Sequence, residues 1–124
     1  VSSRPCLAAG AAAGLLAVGL GAFGAHALGT RLAGKAGELW HTAENYQFVH
    51  ALALIVLAAL RDRLPRKWLG VSGALFAAGI VLFCGSLYAL ALGAPRWTGW
   101  ITPVGGTAFI LAWGVLLAAA LKTR

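Results

Sequence analysis

The chain has 124 residues, 60% of them hydrophobic and only 10% charged, where a soluble domain carries about 25% charged residues. So short a chain cannot hide that much apolar surface in a water-facing core, which excludes an ordinary soluble domain and leaves lipid as the solvent. The net charge of +7 does not indicate nucleic acid, because the basic residues lie in short gaps between apolar runs and form no continuous stripe.

Four apolar segments are each long enough to cross a hydrocarbon core, which takes about 20 helical residues. The fold expected is all-α: a four transmembrane helix bundle with helices over about 5–28, 39–60, 68–92 and 101–121. Strands of a membrane barrel would alternate polar and apolar residues, and no segment does.

The first segment opens at Pro5, tolerated in a first helical turn, and stops at Gly29. Arg4 ahead of the apolar run and Ala25-His26-Ala27 after it imitate a secretory signal, but the run exceeds the 7–15 residues of a signal core, so a retained helix is expected. Gly10, Gly14, Ala17, Gly21 and Gly24 share one face, where another helix can approach closely; packing within the chain is the expected use, another protomer the alternative. Gly19 to Gly24 spells a dinucleotide fingerprint without a preceding strand. Gly29 to Lys35 has phosphate-loop spacing but continues with Ala36 in place of Ser or Thr. Neither is a nucleotide site.

The second segment carries most of the polar residues that require explanation. Glu44, Gln47 and His50 form a stripe spanning about 120°, which His41 and Asn45 are expected to continue toward the outer end. His50 should lie about 15 Å deep, near the bilayer midplane. Ionisable groups there cost a few kcal/mol unless they face protein or water, so the stripe should point into the bundle.

The third segment places Ser86 and Tyr88 near its outer end and stops at Gly93. The fourth opens with Thr102, where Pro103, Gly105 and Gly106 are expected to loosen the helix start and free backbone groups for the cluster. With His26 ending the first segment, four helices bring polar groups to the outer half.

Basic residues orient the chain. Arg4, Arg61, Arg63, Arg66, Lys67, Lys122 and Arg124 fall on one side and Arg31, Lys35 and Arg96 on the other, which places both termini in the cytoplasm. Trp40, Trp97 and Trp100 should mark the outer interface and Trp68 the inner one. Cys6 and Cys84 should differ in height by about 24 Å, too far for a disulfide.

The stretches Gly21-Ala22-Phe23-Gly24-Ala25-His26-Ala27-Leu28, Trp40-His41-Thr42-Ala43, Tyr46-Gln47, His50-Ala51-Leu52-Ala53-Leu54, Gly85-Ser86-Leu87-Tyr88 and Ile101-Thr102-Pro103-Val104-Gly105-Gly106 resemble the YgdD/YwdK type of small bacterial inner-membrane proteins, a domain of unknown function with eukaryotic transmembrane relatives. The resemblance touches all four segments. It implies a four-span, multi-pass protein of the bacterial inner (plasma) membrane and no established activity. Cys84 stands where a serine is expected in that family.

The functional expectation is an accessory or scaffold component of a membrane assembly, its partner a membrane protein or a second copy. The polar cluster of His26, His41, Glu44, Asn45, Gln47, His50, Ser86, Tyr88 and Thr102 then fixes helix packing. The alternative is a site for a quinone-like or lipid-like ligand, or for a metal on His26, His41, Glu44 and His50. His41 and Glu44 have metal-sharing spacing, but no second such pair makes a dinuclear site. Haem ligation meets a height difference of about 10 Å between His26 and His50. Transport of a small solute or protons is a third reading, for which the cytoplasmic half is poor in polar groups. No catalytic triad is visible around Ser86 and no cofactor is identified.

Overall fold

The computed structural model describes residues 4–122, so Arg124 lies outside the described residues. Helix α1 (Arg4–Phe23) continues through a π turn at Gly24–Leu28 and a 3-10 turn at Gly29–Leu32. Helix α2 spans Lys35–Ala59. Helix α3 (Arg66–Gly79) runs through a second π turn, Ile80–Cys84, into α4 (Gly85–Ala91) as one rod. A 3-10 turn at Arg96–Trp100 leads into α5 (Ile101–Lys122). No strand occurs among the described residues.

Three rods, Arg4–Leu32, Arg66–Ala91 and Arg96–Lys122, are long and apolar enough to cross a membrane. Their large side chains point outward: Leu15, Val81, Ile110 and Leu121 are all more than two-thirds exposed. Lipid is the only solvent in which such a surface is stable. α2, with its run of polar residues, falls outside that group of three.

Rods that follow one another in the chain run antiparallel, whereas α2 and α5, which meet at His50 and Trp113, run parallel. Gly10 faces the backbone of Ala51, and Gly24 faces Trp40, across the α1–α2 contact. The Ser72 hydroxyl donates to the Ala112 carbonyl between α3 and α5 at 2.9 Å. The Tyr88 hydroxyl reaches Gln47 between α4 and α2. Ala43, Leu54, Leu57, Phe76, Cys84, Phe109 and Ala112 form the centre of the core.

The small-residue face of α1 is used within the chain. Gly10, Gly21 and Gly24 abut α2 and Ala17 between them is buried, whereas Gly14 has nothing within 4 Å of where a Cβ would stand. The stop at Gly93 is a Schellman motif: Gly93 has φ 98°, and the Ala94 and Gly93 amides donate to the Ala89 and Leu90 carbonyls at 2.9 and 3.1 Å.

Four local expectations change. α2 begins at Lys35 rather than Leu39, after Gly34 at φ 63°; Gly37 admits the Leu32 carbonyl where any side chain would collide. Two rods pass through π turns that hydropathy does not reveal. Trp40 is buried and marks no interface: its ring packs edge-on to Tyr88 at 4.7 Å, and its indole N–H donates to the Leu20 carbonyl at 3.2 Å. Trp97 and Trp100 are exposed. Gly105 does not loosen α5, which is regular from Ile101; it lets α5 close onto the backbone of Phe83.

Cys6 and Cys84 are both free. The Cys6 sulfur sits over Gly73 of α3, while Cys84 is buried at the second π turn. Mass spectrometry of the unreduced protein should find two thiols and no internal crosslink. A Cys6–Cys84 bridge would overturn this arrangement of helices.

Candidate functional site

The polar residues of α2 separate into an inward set and an outward set, and helical angle decides which is which. Gln47 is buried. Its amide N–H donates to the Ala13 carbonyl of α1 at 2.8 Å, and its carbonyl oxygen accepts the Tyr88 hydroxyl of α4 at 2.6 Å. One side chain thereby ties three helices together.

His50, one turn deeper, is also buried. Trp113 of α5 donates its indole N–H to Nε2 at 3.1 Å, which leaves the ring proton on Nδ1, 2.7 Å from the Tyr46 carbonyl. The imidazole in this arrangement is the neutral Nδ1–H tautomer with both nitrogens engaged. Its face stacks on Phe109 with centroids 3.7 Å apart, and Phe76 and Trp113 meet edge-on beside it at 4.8 Å. An uncharged histidine at this depth avoids the cost of a buried cation.

Ser86 and Thr102 meet as a hydroxyl pair between α4 and α5. Ser86 donates to the Phe83 carbonyl at 3.0 Å, so the proton between the two hydroxyls comes from Thr102. Ser86 is thus held by another hydroxyl and a backbone carbonyl.

The other predicted residues lie elsewhere. Glu44 is mostly buried, its carboxylate close to Gly21 of α1, and His41 is exposed with Nδ1 3.6 Å from Glu44 Oε1. Asn45 is exposed because two residues of helix turn it about 160° away from Gln47. His26 is exposed as well. It sits in the first π turn, where one extra residue rotates the following side chains by about 100° relative to an unbroken α-helix. The proposed metal ligands His26, His41, Glu44 and His50 are therefore not brought together, and no group of three His, Cys, Asp or Glu side chains gathers among the described residues.

Two partners escaped the sequence reading. Trp113 supplies the donor to His50, and Ser72 crosslinks α3 to α5. Each had a readable signal: an indole N–H or a hydroxyl in the middle of an apolar span needs a partner there.

Beside His50 a groove of about 520 Å³ opens between α2 and α5, lined by Tyr46, Phe83, Thr107, Phe109 and Trp113 among others. The Thr107 hydroxyl is committed to the Pro103 carbonyl at 2.8 Å, so the walls are chiefly apolar, with Tyr46, Phe83, Phe109 and Trp113 as their aromatic part.

Comparison with known proteins places this arrangement in a family. The chain is 48% identical over 114 residues to the UPF0382 membrane protein YwdK of Bacillus subtilis, covering 91% of this chain and 93% of that one. It is 44% identical over 115 residues to a UPF0382 membrane protein of Staphylococcus epidermidis, covering 91% and 92%. It is 38% identical over 124 residues to the UPF0382 inner membrane protein YgdD of Escherichia coli, covering 100% and 95%. No solved structure matches. The protein is a multi-pass protein of the bacterial inner (plasma) membrane, in contact with the lipid bilayer. Since residues 20–106 also match the family described as "Protein of unknown function (DUF423)", the chain belongs to that family.

Proposed function

We propose that this is a four-span membrane protein with both termini in the cytoplasm, serving as a small accessory or scaffold component of a membrane assembly. The observation that carries the reading is the closure of the polar cluster. Among the described residues no buried side-chain nitrogen or oxygen lacks a hydrogen-bond partner, and Gln47, His50 and Ser86 spend theirs on neighbouring helices or on backbone. A site for chemistry keeps polar groups free for its substrate, whereas these are consumed in holding the bundle. The surface left for recognition is the broad apolar exterior.

Support for a fourth span comes from α2 itself. Its 25 residues reach about 37 Å, and its outward face over the inner two-thirds is Phe48, Val49, Leu52 and Val56, all exposed. The basic residues at the α1 start, the α2–α3 loop and the α5 end support a cytoplasmic location for those ends. In intact cells, a membrane-impermeant amine reagent should label Lys35 and spare Lys67. Labelling of Lys67 with protection of Lys35 would invert the topology.

The scaffold role is tested by mild extraction from native membranes, with crosslinking before solubilisation. A second membrane protein or a second copy should be retained in fixed ratio; a chain recovered alone and monomeric under the gentlest extraction would refute it. The aromatic groove beside His50 favours a second reading, a lipid-like or quinone-like ligand lying between α2 and α5. Lipid extraction and mass spectrometry of the purified protein and of its Thr107→Trp variant distinguish the two, since a ligand of this groove should be lost from the variant. Transport has least support, because Ser72, the buried polar side chain on the cytoplasmic side of His50, is already bonded to Ala112.

A further inference from the structure

At the end of the bundle that carries the α2–α3 loop, a second groove of about 250 Å³ runs between the start of α3 and the end of α5. Lys67, Trp68, Val71 and Val115 line it. Lys122 holds its Nζ 4.6 Å from the centre of the Trp68 ring, so the indole keeps an ammonium group at the edge of a groove that Lys67 also lines. Val71 is exposed on the outer wall. The groove is thus cationic at the rim, aromatic at the shoulder and apolar below.

The charges around it leave the rim positive. The chain has three acidic side chains: Glu38 and Glu44 lie on the first half of α2, toward the opposite end, and Asp62 sits 3.6 Å from Arg61. Arg63 and Arg66 add further exposed positive charge to this end. A ligand complementary to the groove carries a negative charge at interfacial depth with hydrocarbon directly beneath it. Free phosphate supplies the charge and leaves the apolar walls empty, while a zwitterionic lipid supplies the chain and cancels the charge.

We propose that this groove is a binding site for an anionic glycerophospholipid, its phosphate between Lys67 and Lys122 and the start of one acyl chain against Val71 and Val115. The proposal rests on this end of the bundle lying at a membrane interface and does not depend on which side of the membrane that is. Trp68 at the shoulder is then the interfacial anchor that its composition implies.

The test uses the full chain purified in a neutral detergent, with phosphatidylglycerol, phosphatidylcholine or inorganic phosphate added, read by native mass spectrometry and by the unfolding midpoint. Phosphatidylglycerol should remain bound and raise the midpoint; phosphatidylcholine and inorganic phosphate should not. The Lys67→Gln/Lys122→Gln variant should bind phosphatidylglycerol about 30-fold more weakly, while Lys35→Gln/Arg96→Gln at the other end binds as wild type. Val71→Trp, at an exposed position, keeps both charges but fills the groove and should also weaken binding. The proposal is overturned if phosphatidylcholine binds equally, if inorganic phosphate alone gives the same stabilisation, if Val71→Trp or the Lys67/Lys122 variant binds as wild type, or if the Lys35/Arg96 variant loses as much. Amine labelling of intact cells reports the topology separately, so a wrong orientation and a wrong site give different results.

Discussion

Replacing Gln47 by leucine lowers the stability of the protein in detergent by about 1–3 kcal/mol, since two interhelical hydrogen bonds are lost and each is worth about 0.6–1.7 kcal/mol in a membrane protein. Leucine nearly fills the same volume, so the loss reads out polar bonding more than packing. The Ala13 carbonyl loses its side-chain donor, whereas the Tyr88 hydroxyl loses its acceptor in a place where water does not replace it. Tyr88→Phe removes one of the same two bonds. Thermal unfolding of the Gln47→Leu/Tyr88→Phe double variant should therefore show a loss smaller than the sum of the single losses, because both variants break the shared bond. An unchanged midpoint for Gln47→Leu would mean that the clamp contributes nothing to holding the helices.

The second large effect is expected at Gly105. A Cβ there would stand against the backbone nitrogen and Cα of Phe83 in the second π turn, and backbone cannot swing aside as a side chain can. Gly105→Ala should cost about 1–3 kcal/mol through overpacking, against a gain of up to about 1 kcal/mol in helix propensity. Gly106 supplies the control. A Cβ at Gly106 meets only the Phe83 ring, at an ordinary 3.7 Å, so Gly106→Ala should be neutral or stabilising. Equal behaviour of the two variants would show that α5 does not approach the π turn as described. Displacement of α5 should also separate Thr102 from Ser86, since their hydroxyl pair lies one turn away on the same contact.

What the sequence made legible is what depends on composition and helical period. The four segments follow from hydropathy, and the inward placement of Gln47 and His50 follows from their spacing and the cost of exposing an amide or imidazole to hydrocarbon. Asn45 was misplaced because it was grouped by proximity along the chain when its angle puts it opposite Gln47. His26 was misplaced for a different reason. The π turn at Gly24–Leu28 breaks the period used to project it, and nothing in its small-residue composition announces the break. Trp40 was assigned to an interface from its position near a segment end, whereas Gly24 leaves room for its indole inside the bundle. Trp113 was invisible as the partner of His50 because the pairing depends on the height at which α5 sits against α2, which no local pattern specifies.

That α2 is the least lipid-compatible rod and also the central one has a consequence for biogenesis in the proposed topology. Glu44, Asn45, Gln47 and His50 fall within two turns, and each disfavours release of an isolated helix from the insertion machinery into the bilayer. The other three rods can partition on their own hydropathy. α1 is synthesised first and already carries, on its small-residue face, the Ala13 carbonyl that Gln47 seeks and the Leu20 carbonyl that Trp40 seeks. In that topology the α1–α2 hairpin is expected to enter the membrane as one unit, with the Gln47–Ala13 contact formed during insertion.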